Sequence, residues 1–457
     1  MSNTFGKSYR FTVFGESHAP EIGVCVEGLP AGIRIDTAAL QAFLGRRAPG
    51  KNEYSTARRE PDKVLFTEGL GEDGLTTGAP LKAVIRNTDV RSADYDAFRS
   101  APRPGHADYP AYVKTGRIAP GGGKWSGRLT APLCIAGGIA KQLLEAEGIK
   151  VFARIESIGG VHDPGPFTES LEGEIFPVSS KNPLTAKRFE EKIAAAKAAG
   201  DSVGGTVECC VTGLPVGLGE HPFGGLENRI AEAVFGIPAV KGIEFGDGFA
   251  LSALHGSEAN DAYRYEDGRV VTKTNHCGGV LGGMANGMPL IFRVAFKPTP
   301  TIGKEQESVD LLTGENVTVQ GKGRHDPCIV PRAVPVVEAA AAAALYDRLL
   351  TEREEAAQAS GKKSQKEPSP MALETLRLAI DEADQALLPA FLKRMEAAEA
   401  IAAYKKERGL PVFDAAREEA LLERIKARTP KEMQPYAQAL YETLLRLSRE
   451  RQEEQMS

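Results

Sequence analysis

Six stretches of the chain set ionisable side chains among glycine and proline, the context in which loops carry chemistry. They are Phe14-Gly15-Glu16-Ser17-His18, Arg46-Arg47-Ala48-Pro49-Gly50, Ala57-Arg58-Arg59-Glu60-Pro61-Asp62, Arg103-Pro104-Gly105-His106-Ala107-Asp108, Gly121 to Arg128, and Gly323-Arg324-His325-Asp326-Pro327. A single histidine is more often structural than catalytic, and clustered arginines are usually solvated surface. So many basic loops in one chain point instead to a pocket for a polyanion, with backbones held for close approach. Two apparent nucleotide motifs fail. Gly69 to Gly74 fits GxGxxG, but Glu72 and Asp73 would repel a pyrophosphate, and Thr76 to Pro80 follows where a helix should begin. Gly121-Gly122-Gly123-Lys124 resembles a Walker loop, yet Ile118 stands where its first glycine is required.

A second set of polar residues is spaced for helices. Arg394 and Lys405 are eleven apart, close to three turns, so they project from one face. Asp414, Arg417 and Glu418 follow at i, i+3 and i+4, and Ser448 and Gln452 at i and i+4. This region reads in two ways: a helical oligomerisation module decorated with charge, or a site to which three helices each bring polar groups.

The elements that must position these residues differ along the chain. Of 49 glycines only Gly409 lies in 371–457, a stretch with a single valine, and all seven histidines and six cysteines precede residue 330. The first part alternates β-rich runs (Gly23 to Val26, Thr206 to Val211, Pro289 to Phe296) with helical stretches (Ala131 to Ala146, Pro183 to Ala199, Ala333 to Leu350). That alternation suggests an α/β or α+β domain over 1–352. Residues 353–370 read as a solvated linker, and 371–457 as three helices at about 371–408, 414–427 and 431–454, broken at Gly409, Pro411 and Pro430.

Composition bounds the function. Hydrophobic residues at 42%, charged residues at 26% and a net charge of -5 describe an ordinary soluble protein, with no nucleic acid or membrane expected as partner. No signal peptide or membrane-length apolar run is visible, which makes a cytoplasmic location the expectation. Cys25, Cys134, Cys209, Cys210, Cys277 and Cys328 form no CxxC pair and no zinc-type spacing, so reduced thiols and no metal site are expected.

From about Gly6 to Ala344 the sequence resembles the chorismate synthase family. The match rests on FGESH, RREPD, RPGHADY, GGGKWSGR, GDSVGG, AVKGIEFGDGF, NHCGGVLGG, KPTPTI, and GRHDP with RAVPVVEA, in family order. The resemblance implies an α+β fold with a β-α-β sandwich, often assembled as a tetramer. It implies conversion of 5-enolpyruvylshikimate 3-phosphate to chorismate with reduced FMN, phosphate and a ring proton being lost. By motif, His18 is implied as the acid at the departing phosphate, His106 as a donor to the flavin, and Asp326 as helping the flavin take the ring proton. Arg47, Arg58, Arg103 and Arg128 are implied around the substrate. Lys124, Trp125, Ser126, Ala239, Gly282, Lys297, Pro298, Thr299, Pro300, Thr301 and Arg324 are implied around FMN. The sequence departs from the family at Trp125, which either stacks on the flavin or fills its rim, at Ala48, and at Glu53, whose reversed charge means that one anion contact is either lost or supplied elsewhere, with Lys51 as a candidate. No flavin reductase site is visible, so NADPH becomes a cofactor only on the condition that the chain reduces its own FMN.

From about Leu373 to Gln455 the sequence resembles the all-helical chorismate mutase family, an all-α three-helix domain that dimerises. The resemblance implies that Arg377 and Arg394 hold the carboxylates of chorismate, and that Lys405 and Gln452 face its ether oxygen. Glu418, with Asp414 nearby, is implied at the hydroxyl, and Arg417 and Ser448 complete the site. Arg377 and Arg394 are seventeen residues apart, roughly 25 Å along one helix and about 100° around it, so they predict a site shared between two chains. The sequence thus predicts a bifunctional enzyme acting on small molecules. The alternatives are a synthase with a catalytically idle dimerisation or effector-binding module, and, against the set of His18, His106 and Asp326, a flavoprotein with another phosphorylated substrate.

Overall fold

A computed structural model describes residues 3–50, 60–89, 92–163, 182–321, 326–359 and 370–456, and of 92–94, 359–382 and 386 only the backbone where it is helical. The chain divides into two compact units, Met1–Ser364 and Gln365–Ser457.

Among its described residues the first unit holds two five-stranded sheets and three two-stranded ribbons. One sheet uses β1 (Thr4–Phe5), β2 (Arg10–Gly15), β3 (Glu21–Glu27), β4 (Val64–Glu68) and β5 (Leu81–Arg86), in the order β1-β2-β3-β5-β4. The strands that follow are β6 (Lys150–Ile158), β7 (Val161–His162), β8 (Gly205–Thr212) and β9 (Val240–Phe245). Ribbons β10 (Tyr263–Glu266) with β11 (Arg269–Thr272) and β12 (Val280–Leu281) with β13 (Met284–Ala285) precede β14 (Leu290–Phe296). The last ribbon pairs β15 (Glu305–Val309) with β16 (Asn316–Gln320). The second sheet has the order β7-β6-β8-β14-β9, every pairing antiparallel. In β14 buried and half-buried residues alternate, as the period of two requires when one face meets the core.

Helices α1 (Thr37–Arg47), α2 (Asp108–Thr115), α3 (Thr130–Glu145), α4 (Pro183–Ala198), α5 (Leu226–Phe235), α6 (Gly256–Ala259) and α7 (Val330–Ala359) complete this unit. Helix α3 lies on the first sheet, α7 lies on the second, and the two helices pack on each other, forming the filling of a sandwich. Their sequences explain the position. The run Ala339–Ala344 is wholly buried, and a helix apolar all round belongs inside. At the crossing, a Cβ on Gly137 would lie 2.3 Å from the Ala339 Cα, so only glycine admits this approach.

Helix α7 runs nine residues past Leu350, where the sequence predicted its end, and into the expected linker. The reason is that its charged side chains have partners: Arg353 donates to Glu147, Ser8 donates to Glu354 and Lys7 donates to Glu355. On the same helix Asp347, 1% exposed, accepts the consecutive backbone N–H groups of Lys7, Ser8 and Tyr9 at 2.7, 2.8 and 2.9 Å, and the Arg229 guanidinium at 3.0 Å. Asp347→Ala strands all four donors, and we expect it to cost the first unit about 3–5 kcal/mol. Circular dichroism in rising urea will show this as an earlier midpoint for that unit's transition.

The second unit consists of α8 (Pro370–Arg408), α9 (Ala415–Arg428) and α10 (Gln434–Met456), with α10 packed on both others. Asp414 caps α9 by accepting the Arg417 N–H at 3.1 Å. Among its described residues the fully buried hydrophobics are Ala398 and Ala402, while Leu387, Leu388 and Leu392 are exposed on α8.

Candidate active sites

The first site is a cleft of about 710 Å³ in the first unit. Its floor is a buried ion network. Arg47, from the last turn of α1, donates to Asp62 at 2.6 Å, to the Thr130 hydroxyl at 3.0 Å and to the Gly127 carbonyl at 3.1 Å. Arg128 donates to the other oxygen of Asp62, and its Nε to Asn87 at 2.9 Å. Burial pushes the Asp62 carboxyl up, but Arg47 and Arg128 outweigh that and hold it below the usual carboxylate range. One Arg128 nitrogen, Nη2, is buried with no hydrogen-bond partner, a Glu60 carboxylate oxygen standing 3.8 Å away, within ion-pair range but too far for a hydrogen bond. A buried guanidinium arm left open in this way is a seat for an anion.

The glycine run at 121–123 has a different use from a Walker loop. All three residues have left-handed backbone, and the turn presses on two histidines. A Cβ on Gly121 would stand 2.5 Å from His18 Nε2, and one on Gly122 3.1 Å from His106 Nε2. The His18 ring meets Tyr95 edge-on at 5.3 Å, and the Arg103 guanidinium lies 5.5 Å from the same Tyr95 ring. Opposite, Lys297 donates to the Gly105 carbonyl at 2.6 Å. Burial, and then the neighbouring Lys241, lower the Lys297 ammonium below the ordinary lysine range. Two lysines lining one cleft are relieved by an anion between them. Thr299 Oγ1 is also buried there without a partner. Among the described residues three non-glycines have left-handed backbone, and two of them, Asp62 and Ala239, belong to this site.

The structure brings Arg47, Arg103, His106, Lys124, Trp125, Ser126, Arg128, Ala239, Lys297, Thr299, Pro300, Thr301 and Asp326 to this one cleft. His18 adjoins it behind Gly121. Gly282 does not line it, standing in the turn between β12 and β13, and Pro298 is exposed outside it. Arg58, Arg324, Lys51 and Glu53 lie outside the described residues. Sequence reasoning missed Tyr95, Lys241 and Arg332, which also line the cleft. Arg332 donates to Asp326, and its Nε donates to the Arg47 carbonyl at 3.0 Å, tying the two walls together. Its only signal was its place at the head of RAVPVVEA.

In the second unit Arg394 reaches from α8 to α10, donating to the Ser448 hydroxyl and to the Leu444 carbonyl at 2.9 Å. One turn on, Gln452 is buried with its Oε1 unpartnered. Lys405 donates to the Val412 carbonyl at 2.6 Å. Glu418 accepts from Arg449, whose guanidinium lies 5.4 Å from the Phe413 ring, a pairing absent from the sequence reading. Arg417 is exposed, and the Asp414 carboxylate is occupied as the cap of α9. The Arg377 side chain lies outside the described residues.

This fold and cleft agree with what comparison finds: the chain belongs to the chorismate synthase family, whose profile matches residues 9–350. A chorismate mutase type II profile matches residues 376–453, so a lyase domain is followed by an isomerase domain. Chorismate synthases of Lancefieldella parvula and Aeropyrum pernix are each 45% identical to it, covering 76% of this chain and 96% and 93% of those proteins. That of Parabacteroides distasonis is also 45% identical, covering 77% of this chain and 98% of its own length. A crystal structure of chorismate synthase superposes with a TM-score of 0.57 at 26% identity, covering 76% of this chain and 93% of that one. Among the described residues no helix is long and apolar enough to cross a membrane, and no group of side chains is arranged to hold a metal.

Proposed function

We propose that the cleft eliminates phosphate from 5-enolpyruvylshikimate 3-phosphate to give chorismate, and that the helical unit rearranges chorismate to prephenate. The observation that supports this most directly is the buried Arg128 nitrogen without a hydrogen bond, in a cleft lined by His106 and Asp326 and adjoined by His18. Reduced FMN fits the residues present: Lys241 and Lys297 suit its phosphate and the orphaned Thr299 hydroxyl its polar edge. When bound, reduced FMN supplies transient electron donation with no net redox change. Arg47, Arg103 and Arg128 hold the substrate's carboxylates and phosphate. His18 gives a proton to the departing phosphate, and Asp326, steadied by Arg332, serves removal of the ring proton.

The rearrangement in the second unit is intramolecular and needs no nucleophile. Arg394 fixes a carboxylate in the reactive conformer, and Lys405 and Gln452 face the ether oxygen as charge develops there. The exposed leucines of α8 pair with those of a second copy, which supplies Arg377.

One anaerobic experiment tests both halves: supply the phosphorylated precursor with reduced FMN and follow chorismate and prephenate together. Prephenate accumulates as the end product on this reading. Chorismate that forms and persists would leave the helices as an idle module, and no chorismate at all would overturn the synthase assignment.

A further inference from the structure

Asp108 belongs to the RPGHADY loop, yet none of the roles above includes it. It opens α2 and is 2% exposed. Arg103 donates to it from Nε at 2.7 Å, from Nη2 at 2.8 Å and from its backbone N–H at 3.1 Å. His106 Nδ1 lies 2.7 Å from its Oδ1. Burial pushes the Asp108 carboxyl up, but the bonds from Arg103 and His106 prevail and hold it well below the usual carboxylate range.

An ionised carboxylate only accepts hydrogen bonds, so His106 Nδ1 carries a hydrogen. Arg103 Nη2, 3.2 Å from the same Nδ1, can only donate and by itself favours the opposite tautomer. The contact to Asp108 is half an ångström shorter and is charge-assisted, so it decides the matter. His106 Nε2 is then the nitrogen free to give or take a proton. It is also the nitrogen turned toward the Gly122 backbone at the cleft.

We propose that Asp108 is a positioning residue of the synthase site, fixing the tautomer and ring orientation of His106 so that proton exchange occurs at Nε2. The inference rests on the synthase reading of the first unit. The same carboxylate steadies Arg103, whose Nη1 donates to the Thr301 hydroxyl at 3.2 Å. A single side chain thus sets a proton-transfer group and an anion-binding arm.

In Asp108→Asn the amide donates to Nδ1 and drives the hydrogen onto Nε2, with Arg103 reinforcing the wrong tautomer. Asp108→Glu keeps the carboxylate. The first readout uses the full chain without flavin or substrate. Diethyl pyrocarbonate acylates an unprotonated ring nitrogen, and peptide mass mapping follows each histidine. Acylation of His106 falls about tenfold or more in Asp108→Asn, with the exposed His221 as internal control. The second readout is anaerobic turnover, where kcat falls about 10²–10⁴-fold. Asp108→Glu restores both readouts to within about tenfold of the parent. Parental acylation of His106 in Asp108→Asn, or kcat within about threefold of the parent, overturns the proposal. Should Asp108→Asn fail to fold, a folded Asp108→Glu that loses both readouts overturns it equally. A parent chain that makes no chorismate sinks the synthase reading instead, and the acylation contrast is scored independently of it.

Discussion

Replacing Arg394 by alanine lowers prephenate formation by about 10²–10³-fold, while chorismate formation stays within about twofold of the parent. The size follows from the chemistry asked of the helical unit. Chorismate carries two carboxylates and reacts only from the conformer that folds its enolpyruvyl arm over the ring, so a missing guanidinium removes both orientation and charge. Arg394 is braced for that task by the Ser448 hydroxyl and the Leu444 carbonyl, one turn from the buried Gln452, whose Oε1 has no hydrogen-bond partner. Without it that part of the pocket offers a hydroxyl and an amide, neither able to neutralise a carboxylate. Both kcat and kcat/KM fall, because the contact tightens as the transition state forms; a rise in KM alone would mean uniform binding. The synthase reading is the control, since the cleft is lined by residues of the first unit only. Loss of chorismate followed in the ultraviolet gives the first rate, and an Arg394→Ala chain within about threefold of the parent would favour the idle module.

How far these sites were legible depends on where their partners lie in the chain. Helices α8 and α9 were readable to within a residue, because Gly409, Pro411 and Pro430 mark their ends locally: α8 ends at Arg408 and α9 at Arg428. Helix α10 instead begins at Gln434, three residues later than its sequence suggests, after a short turn at Lys431–Met433. The end of α7 was not, because Arg353, Glu354 and Glu355 look like linker until Glu147, Ser8 and Lys7 are placed beside them. The cleft shows the same division. Residues inside glycine-rich motifs announced themselves, whereas Asp62 and Arg332 act through Arg47, Arg128 and Asp326, and Arg449 through Glu418 31 residues away. Nothing in the local spacing of a carboxylate says which arginines will close on it. The use of the glycine run was hidden for a related reason: its left-handed turn serves two histidine rings, a use with no fixed sequence spacing.

Chains carrying Arg377→Ala and chains carrying Arg394→Ala are each nearly inactive as mutases, yet their heterodimer recovers about half the activity of the parent dimer. Both residues lie on α8, which runs from Pro370 to Arg408 with Pro389 inside it. Seventeen residues span roughly 25 Å along such a helix and turn by about 100°, and a proline kink redirects the axis without closing that distance. Two guanidiniums so placed cannot grip one small dicarboxylate. Burial points the same way: with Ala398 and Ala402 as the fully buried hydrophobics among its described residues, and Leu387, Leu388 and Leu392 exposed on α8, the helical unit buries little apolar surface by itself. On the proposed pairing, a second copy laid along α8 would cover those leucines and bring its Arg377 to the Arg394 of the first. In the mixed dimer one site then receives both intact arginines and the other receives neither, which sets the recovery at about one half. Differently tagged chains purified through both tags give the heterodimer cleanly, and chorismate consumption reads its rate. A verified heterodimer no faster than the two mutant homodimers would mean that each site draws its cations from a single chain, and α8 would then need to break well beyond a kink at Pro389.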